Sequence, residues 1–160
     1  MISAFITHSV VETERAGALL APLLRAGDVV ALAGDLGAGK THLVQGVARG
    51  LGVTDPVTSP TFNLLLVHPG ALPLYHFDLY RLEEARELED IGFFETIEAD
   101  GVSFIEWGDR FPGVLPHDHV LVSIARGTDD ERRIAIESSG ARGRELARQW
   151  LDVLGSRGRA

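Results

Sequence analysis

Eight residues, Gly34-Asp35-Leu36-Gly37-Ala38-Gly39-Lys40-Thr41, fit the pattern G-x-x-x-x-G-K-[ST]. Glycines in such a loop let the backbone wrap closely around phosphate oxygens. Successive N–H groups and the start of the following helix then point at the anion. A lysine at this position reaches between the β- and γ-phosphates, and the next hydroxyl ligates magnesium. The expected chemistry is therefore binding of a nucleoside triphosphate with Mg2+ and cleavage of its terminal phosphate. Lys40 is the expected catalytic cation, Leu36, Gly37, Ala38, Gly39, Lys40 and Thr41 the phosphate-binding run, and Thr41 a metal ligand. Composition singles out the same residue. Of the fifteen basic side chains, fourteen are Arg and one is Lys, and that one is Lys40. A chain so biased toward Arg has kept a compact ammonium where a planar fork would not reach between phosphates.

Two apolar runs end in an acid: Leu74-Tyr75-His76-Phe77-Asp78 and Val102-Ser103-Phe104-Ile105-Glu106. In open parallel sheets the strand carboxyl ends face the ligand crevice. Asp78 and Glu106 are therefore candidates for the catalytic and metal-binding carboxylates, since magnesium in such sites takes one or two of them. Which acid touches the metal and which orients the attacking water stays open at this level. Ser59-Pro60-Thr61 places two hydroxyls on a stiff stretch after the loop helix, where a γ-phosphate sensor could sit. His76 reads either as a packed strand residue or as a site group, and Trp107 either as core or as a lid. His117-Asp118-His119 reads as a loop, because no third metal ligand accompanies it.

These residues need elements to hold them. A short strand is expected over Ala4–Thr7. Ser9 and Glu12 match a capping box, and the helix they open should run to about Arg25 with a kink at Pro22. Asp28–Ala33, continuously apolar from Val29 on, follows Gly27 and suits a parallel strand covered on both faces. The glycine loop follows, and a helix from Lys40 to about Leu51 ends at Gly52. Phe62–Val67 and Leu72–Asp78 read as a hairpin around His68-Pro69-Gly70-Ala71. Helices are expected over Leu82–Ile91 and Phe93–Ala99, and a buried strand over Val102–Glu106. Val120–Ala125 and Arg132–Glu137 form a second hairpin, and a last helix covers Ala141–Leu154. The fold class is α/β: a three-layer P-loop NTPase sandwich with a mainly parallel sheet and antiparallel hairpins, as one domain over 1–155 with a flexible tail at 156–160.

Bulk properties narrow the function. The chain has 160 residues, 45% of them hydrophobic, and no apolar run near the roughly 20 residues of a membrane span. The opening MISAFITHSVVETER does not read as a secretion signal. There is no cysteine, so disulfides and thiolate-bound metals are excluded and a cytoplasmic setting is expected. The formal net charge of −8 argues against tight autonomous binding to nucleic acid. Arg142, Arg144, Arg148, Arg157 and Arg159 make the last 21 residues net +3, a solvated helix face or a docking patch for a partner or RNA.

Taken together, GDLGAGKT, VTSPTF, YHFDLYRLEEARELEDIGF and FIEWGDR resemble, in order and spacing, the bacterial TsaE family of small ATPases required for tRNA threonylcarbamoyladenosine biosynthesis. The resemblance spans Thr13 to Arg110. It implies that Thr41 and Glu106 hold Mg2+, that Asp78 is essential at the same site, and that Leu36 to His42 surround the phosphates of ATP. It also implies that Thr13 lies near the adenine. Members of this family act with two partner proteins, TsaB and TsaD, so contact with tRNA is indirect and no membrane is involved; by itself the chain is expected to be a monomer. His42 stands where the family often has Thr or Ser. A small-metabolite kinase would use the same phosphate cradle, but no inserted lid separates the strands. A GTPase would need a second Lys for its guanine-reading motif, and the chain has none to give.

Overall fold

The computed structural model describes residues 2–58, 60, 64–111 and 113–158. Seven strands form one sheet: β1 (Ser3–Thr7), β2 (Val29–Ala33), β3 (Leu65–His68), β4 (Leu74–Asp78), β5 (Val102–Glu106), β6 (His119–Arg126) and β7 (Arg132–Ser139). Their order is β1-β7-β6-β2-β5-β4-β3. The four central strands β6, β2, β5 and β4 are mutually parallel. Antiparallel strands complete both sides, with β7 and β1 beyond β6 and β3 beyond β4.

Helices α1 (Val10–Leu20), α2 (Lys40–Gly50) and α5 (Gly140–Gly158) cover one face. The short α3 (Glu87–Asp90) and α4 (Phe93–Ile97) lie with their flanking loops on the other. This is the expected three-layer α/β sandwich. Alternation along β2 explains it: Val30 and Leu32 enter the core under α1, α2 and α5, while Val29 faces the α3–α4 side. Every β2 residue is buried, as a strand covered on both faces requires. Burying one such side chain is worth about 1.5–3 kcal/mol, and β2 and β5 contribute several each.

The loop helix α2 is set by its contact with α1. A Cβ on Gly46 would lie 1.9 Å from the Glu14 carbonyl, so the two backbones approach as closely as glycine allows. That contact fixes where the N-terminus of α2 opens, at the carboxyl ends of β2 and β5. No helix among the described residues is long and apolar enough to cross a membrane.

The pattern over Leu82–Ile91 predicts a helix that the structure reduces to Glu87–Asp90. Arg110 Nε donates to the Leu82 carbonyl at 2.5 Å. The Glu83 and Glu84 N–H groups both donate to Glu87 Oε2, at 2.7 and 2.9 Å. The acidic run thus folds onto itself as capped turns. Pro22 ends α1 rather than kinking it: a 3-10 turn covers Ala21–Leu23 and Leu24 is extended. Ser9 caps α1 as expected, but Glu12 reaches back to the N–H of His8. The last helix runs on to Gly158, past the expected end at Leu154.

Candidate functional site

The site is assembled where β2, β4 and β5 end. After Ala33 the chain enters the loop through Gly34, Gly37 and Gly39, with φ of 139°, 76° and 117°. All three values lie in the left-handed region that side chains avoid. A Cβ on Gly34 would meet the Ile124 carbonyl at 2.4 Å, so that position admits no side chain. Helix α2 starts at Lys40 with Gly39 as its N-cap and no side chain bonded to its first amides. The opening turn therefore keeps its N–H groups for something outside the helix. At α1, by contrast, the Ser9 hydroxyl caps the first turn by accepting the Glu12 N–H.

Lys40 is 5% exposed. Its Nζ donates to the Gly34 carbonyl at 2.5 Å and the Asp35 carbonyl at 3.0 Å, folding back over its own loop. The Trp107 ring covers the ammonium, with its centroid 4.2 Å away. Trp107 itself has φ +61°, and it stacks at a tilt on Tyr80 at 4.9 Å between centroids. Burial lowers the Lys40 pKa from its ordinary value, while Glu106, Asp78, Asp35 and Asp109 pull it back up.

The two predicted carboxylates come together. Asp78 and Glu106 end adjacent parallel strands in direct register, and both are buried. Glu106 also lies against the loop helix. The Thr41 hydroxyl donates to its carboxylate, at 3.2 Å from Oε1 and 3.1 Å from Oε2. Asp78 Oδ1 accepts the Tyr80 N–H at 2.9 Å, which fixes the chain as it leaves β4. The second side-chain partner of Glu106 is His76. It is fully buried, its Nε2 lies 2.5 Å from Glu106 Oε2, and its Nδ1 has no partner among the described residues. Either sequence reading of His76 was possible; the structure makes it a packed strand residue that touches the site acid.

Thr13, Gly37, Gly39 and His42 line one recess with Ser9, Val10, Asp130 and Arg132. Thr13 is buried, and its hydroxyl is 2.7 Å from that of Thr7. His42 turns away from the loop toward Gln45, with Nδ1 3.1 Å from Oε1. Leu36 is 64% exposed at the tip of the loop. Ala38 is buried beneath it. Ser59 and Thr61, the expected γ-phosphate sensors, lie outside the described residues.

Two residues that grip the loop were not anticipated. Arg126 Nη2 donates to the Gly37 carbonyl at 3.0 Å, and Arg132 Nε to the Ala38 carbonyl at 2.9 Å. They flank the β6–β7 turn, some ninety residues along the chain, and no local pattern marks them. In His117-Asp118-His119, expected as a loop, Asp118 Oδ1 accepts the Arg142 N–H at the start of α5, and His119 is the first residue of β6.

The oxygen donors at hand are the Thr41 hydroxyl and the Glu106 and Asp78 carboxylates, a hard set that suits Mg2+. Among the described residues no group of three or more His, Cys, Asp or Glu gathers to hold a metal on protein ligands alone. A cation shared with substrate phosphates and water fits such a sparse set.

Comparison with known proteins bears on the whole arrangement. The family model described as "Threonylcarbamoyl adenosine biosynthesis protein TsaE" matches residues 7–134. The tRNA threonylcarbamoyladenosine biosynthesis protein TsaE of Treponema pallidum is 44% identical over 131 residues, covering 82% of this chain and 97% of that one. Its Bacillus subtilis counterpart is 43% identical over 132 residues, covering 82% of each. The crystal structure of Bacillus subtilis YdiB superposes with a TM-score of 0.82 at 34% identity, over 95% of both chains. The matched span runs from the end of β1 into β7, and so takes in the loop, both acids and the strands that align them: the chain belongs to the TsaE family of tRNA threonylcarbamoyladenosine biosynthesis proteins.

Proposed function

We propose that the chain binds ATP with Mg2+ and hydrolyses it, in the cytoplasm, as the regulatory or resetting ATPase of threonylcarbamoyl transfer. The transferred group goes to N6 of the adenosine beside the anticodon, and the partner proteins TsaB and TsaD carry the transfer itself. The observation that supports this most is the meeting of three elements at one point. The only lysine lies in a glycine loop, the Thr41 hydroxyl is bonded to Glu106, and Asp78 is aligned beside Glu106.

In this reading the loop amides and the start of α2 bind the β- and γ-phosphates. Lys40 leaves the Gly34 and Asp35 carbonyls for the phosphate oxygens and neutralises charge that builds as the terminal phosphate departs. Thr41 and Glu106 would hold Mg2+, with Asp78 at the same centre. When bound, the ion supplies a positive charge at the phosphates that the acidic strand ends would otherwise repel. Thr13 and the recess beside it receive the adenosine half, with His42 at its margin. Arg126 and Arg132 hold the loop in shape through the Gly37 and Ala38 carbonyls rather than through its amides. With Glu106 assigned to the ion, Asp78 would orient the water that attacks the terminal phosphate and displaces ADP.

The test is ATPase activity of the chain alone, with TsaB and TsaD, and with both plus tRNA. Turnover that is weak alone and rises in the full mixture is the expected result. Phosphate transfer to a small acceptor, with no response to the partners, would replace this reading with a metabolite kinase.

A further inference from the structure

Glu106 makes two contacts of different kinds. One is to Thr41, on the loop helix, and faces the place where a ligand would enter. The other is to His76, and it faces the interior. His76 sits in the middle of β4, in register with Phe104 of β5. It points to the same side of the sheet as Asp78, two residues on, because alternate strand residues share a face. Glu106 leans back along the strands to meet it.

Three features set this contact apart from ordinary packing. His76 is completely inaccessible while Glu106 is 3% exposed, so no water competes for their hydrogen bond. A carboxylate carries no proton of its own, so the imidazole must donate from Nε2. Its remaining nitrogen, Nδ1, has no partner among the described residues. A buried imidazole nitrogen without a partner loses free energy, and a phenyl ring would carry no such group. What the histidine offers in exchange is one directed N–H aimed at one oxygen of Glu106.

We infer that His76 is a positioning residue for the metal-binding carboxylate: by holding Oε2 from inside, it fixes the rotation of the carboxylate that lies beside the Thr41 hydroxyl. Donors behind a metal ligand orient it, and losing one typically weakens metal binding by about 10–100-fold. Without the His76 bond the Glu106 carboxylate can rotate about its last bond, and Thr41 alone does not choose between its oxygens, which lie at nearly equal distances. The role explains why β4 carries an imidazole at a position otherwise fit for Leu or Phe. It rests on the Mg-nucleotide reading above.

The experiment measures metal affinity directly rather than turnover. Purified protein is saturated with ADP, Mn2+ is titrated in, and the free ion is read from its EPR signal. Four forms are compared with the wild type: His76→Leu, His76→Asn, His76→Gln and Glu106→Ala. Leu removes the donor. Asn has one that falls short of the Nε2 position, whereas the longer Gln amide reaches it. Affinity for ADP in excess EDTA should stay unchanged in all the His76 variants. Mn2+ affinity should fall about tenfold or more in His76→Leu and His76→Asn and stay within about threefold in His76→Gln. If His76→Leu does not fold, the Asn and Gln pair decides. The inference is overturned if Leu or Asn binds Mn2+ like the wild type, or if Gln is as weak as they are. Should Glu106→Ala also leave Mn2+ binding intact, the metal reading of the site is itself wrong; a loss there with wild-type His76 variants sinks only the positioning role.

Discussion

Two cations, the half-buried Arg142 and the buried Lys40, lie at opposite ends of the same sheet, and they are treated in opposite ways. At the amino end of β2, Arg142 of α5 forks onto Asp28, with Nε 2.9 Å from Oδ1 and Nη2 2.7 Å from Oδ2. The same guanidinium bonds the Leu23 carbonyl and Glu145, so nearly every donor it turns inward is matched. Asp28 raises its pKa further. At the carboxyl end of the sheet Lys40 bonds two main-chain carbonyls and an aromatic face, and burial lowers its pKa. The first cluster ties the last helix to the start of the central strand and is complete as it stands. The second holds a charge that the free protein itself disfavours and that a bound anion would welcome. Stability sits at one end of the strands and readiness for a ligand at the other.

The hardest test of this contrast is Lys40→Met. Hydrolysis should fall by about 100–1,000-fold, the usual cost of losing one aimed positive group. The free protein should melt at the same temperature or higher, because its folded state no longer buries an ammonium. A clear fall in the melting temperature would mean that Lys40 is part of the scaffold, and the contrast would fail. Arg142→Ala should do the reverse. Leaving Asp28 buried without its partner costs about 3 kcal/mol, to be read from urea unfolding, with ATP turnover per folded molecule unchanged.

That contrast was only half visible in the sequence. The carboxyl end was legible because its chemistry is local: a glycine loop, a lysine and a hydroxyl in eight consecutive residues, and two apolar runs that each stop at an acid. Asp78 and Glu106 could be placed together because a parallel sheet puts strand ends side by side, and the structure puts them in direct register. The amino end was not legible. Arg142 was one of five basic residues in the tail, and nothing near it in sequence points to Asp28, which is over a hundred positions away. Arg126 and Arg132 escaped notice for the same reason. The lost helix over Leu82–Ile91 is a different failure. Its apolar spacing was genuine, but side chains hold the segment in turns: Glu87 accepts the Glu83 and Glu84 N–H groups, and Arg110 bonds the Leu82 carbonyl.

A gentler change sharpens the comparison. Arg142→Lys keeps the charge but not the fork, so it should cost about 1–2 kcal/mol by urea unfolding, less than the alanine variant. Equal losses in the two variants would mean that the planar geometry is irrelevant.

The smallest effect is one of pH, and its sign follows from Lys40. In the free protein its pKa lies below the ordinary 10.5, whereas phosphate oxygens in the loop would raise it. Between those two values binding takes up a proton, so affinity for Mg-ADP should be flat below the free-protein value and fall as pH rises above it, by at most tenfold per pH unit. The same shift acts on folding. The unfolded lysine keeps its proton up to 10.5, so across this window the folded form gains stability as pH rises, opposite to the binding trend. Calorimetric titration of Mg-ADP at several alkaline pH values would reveal the decline and the accompanying proton uptake. Lys40→Arg, whose guanidinium stays charged throughout, should lose the pH dependence even where its affinity is low. An affinity that stays constant up to pH 10.5 in the wild type would place the lysine pKa where solvent leaves it, and the two ends of the sheet would no longer differ in kind.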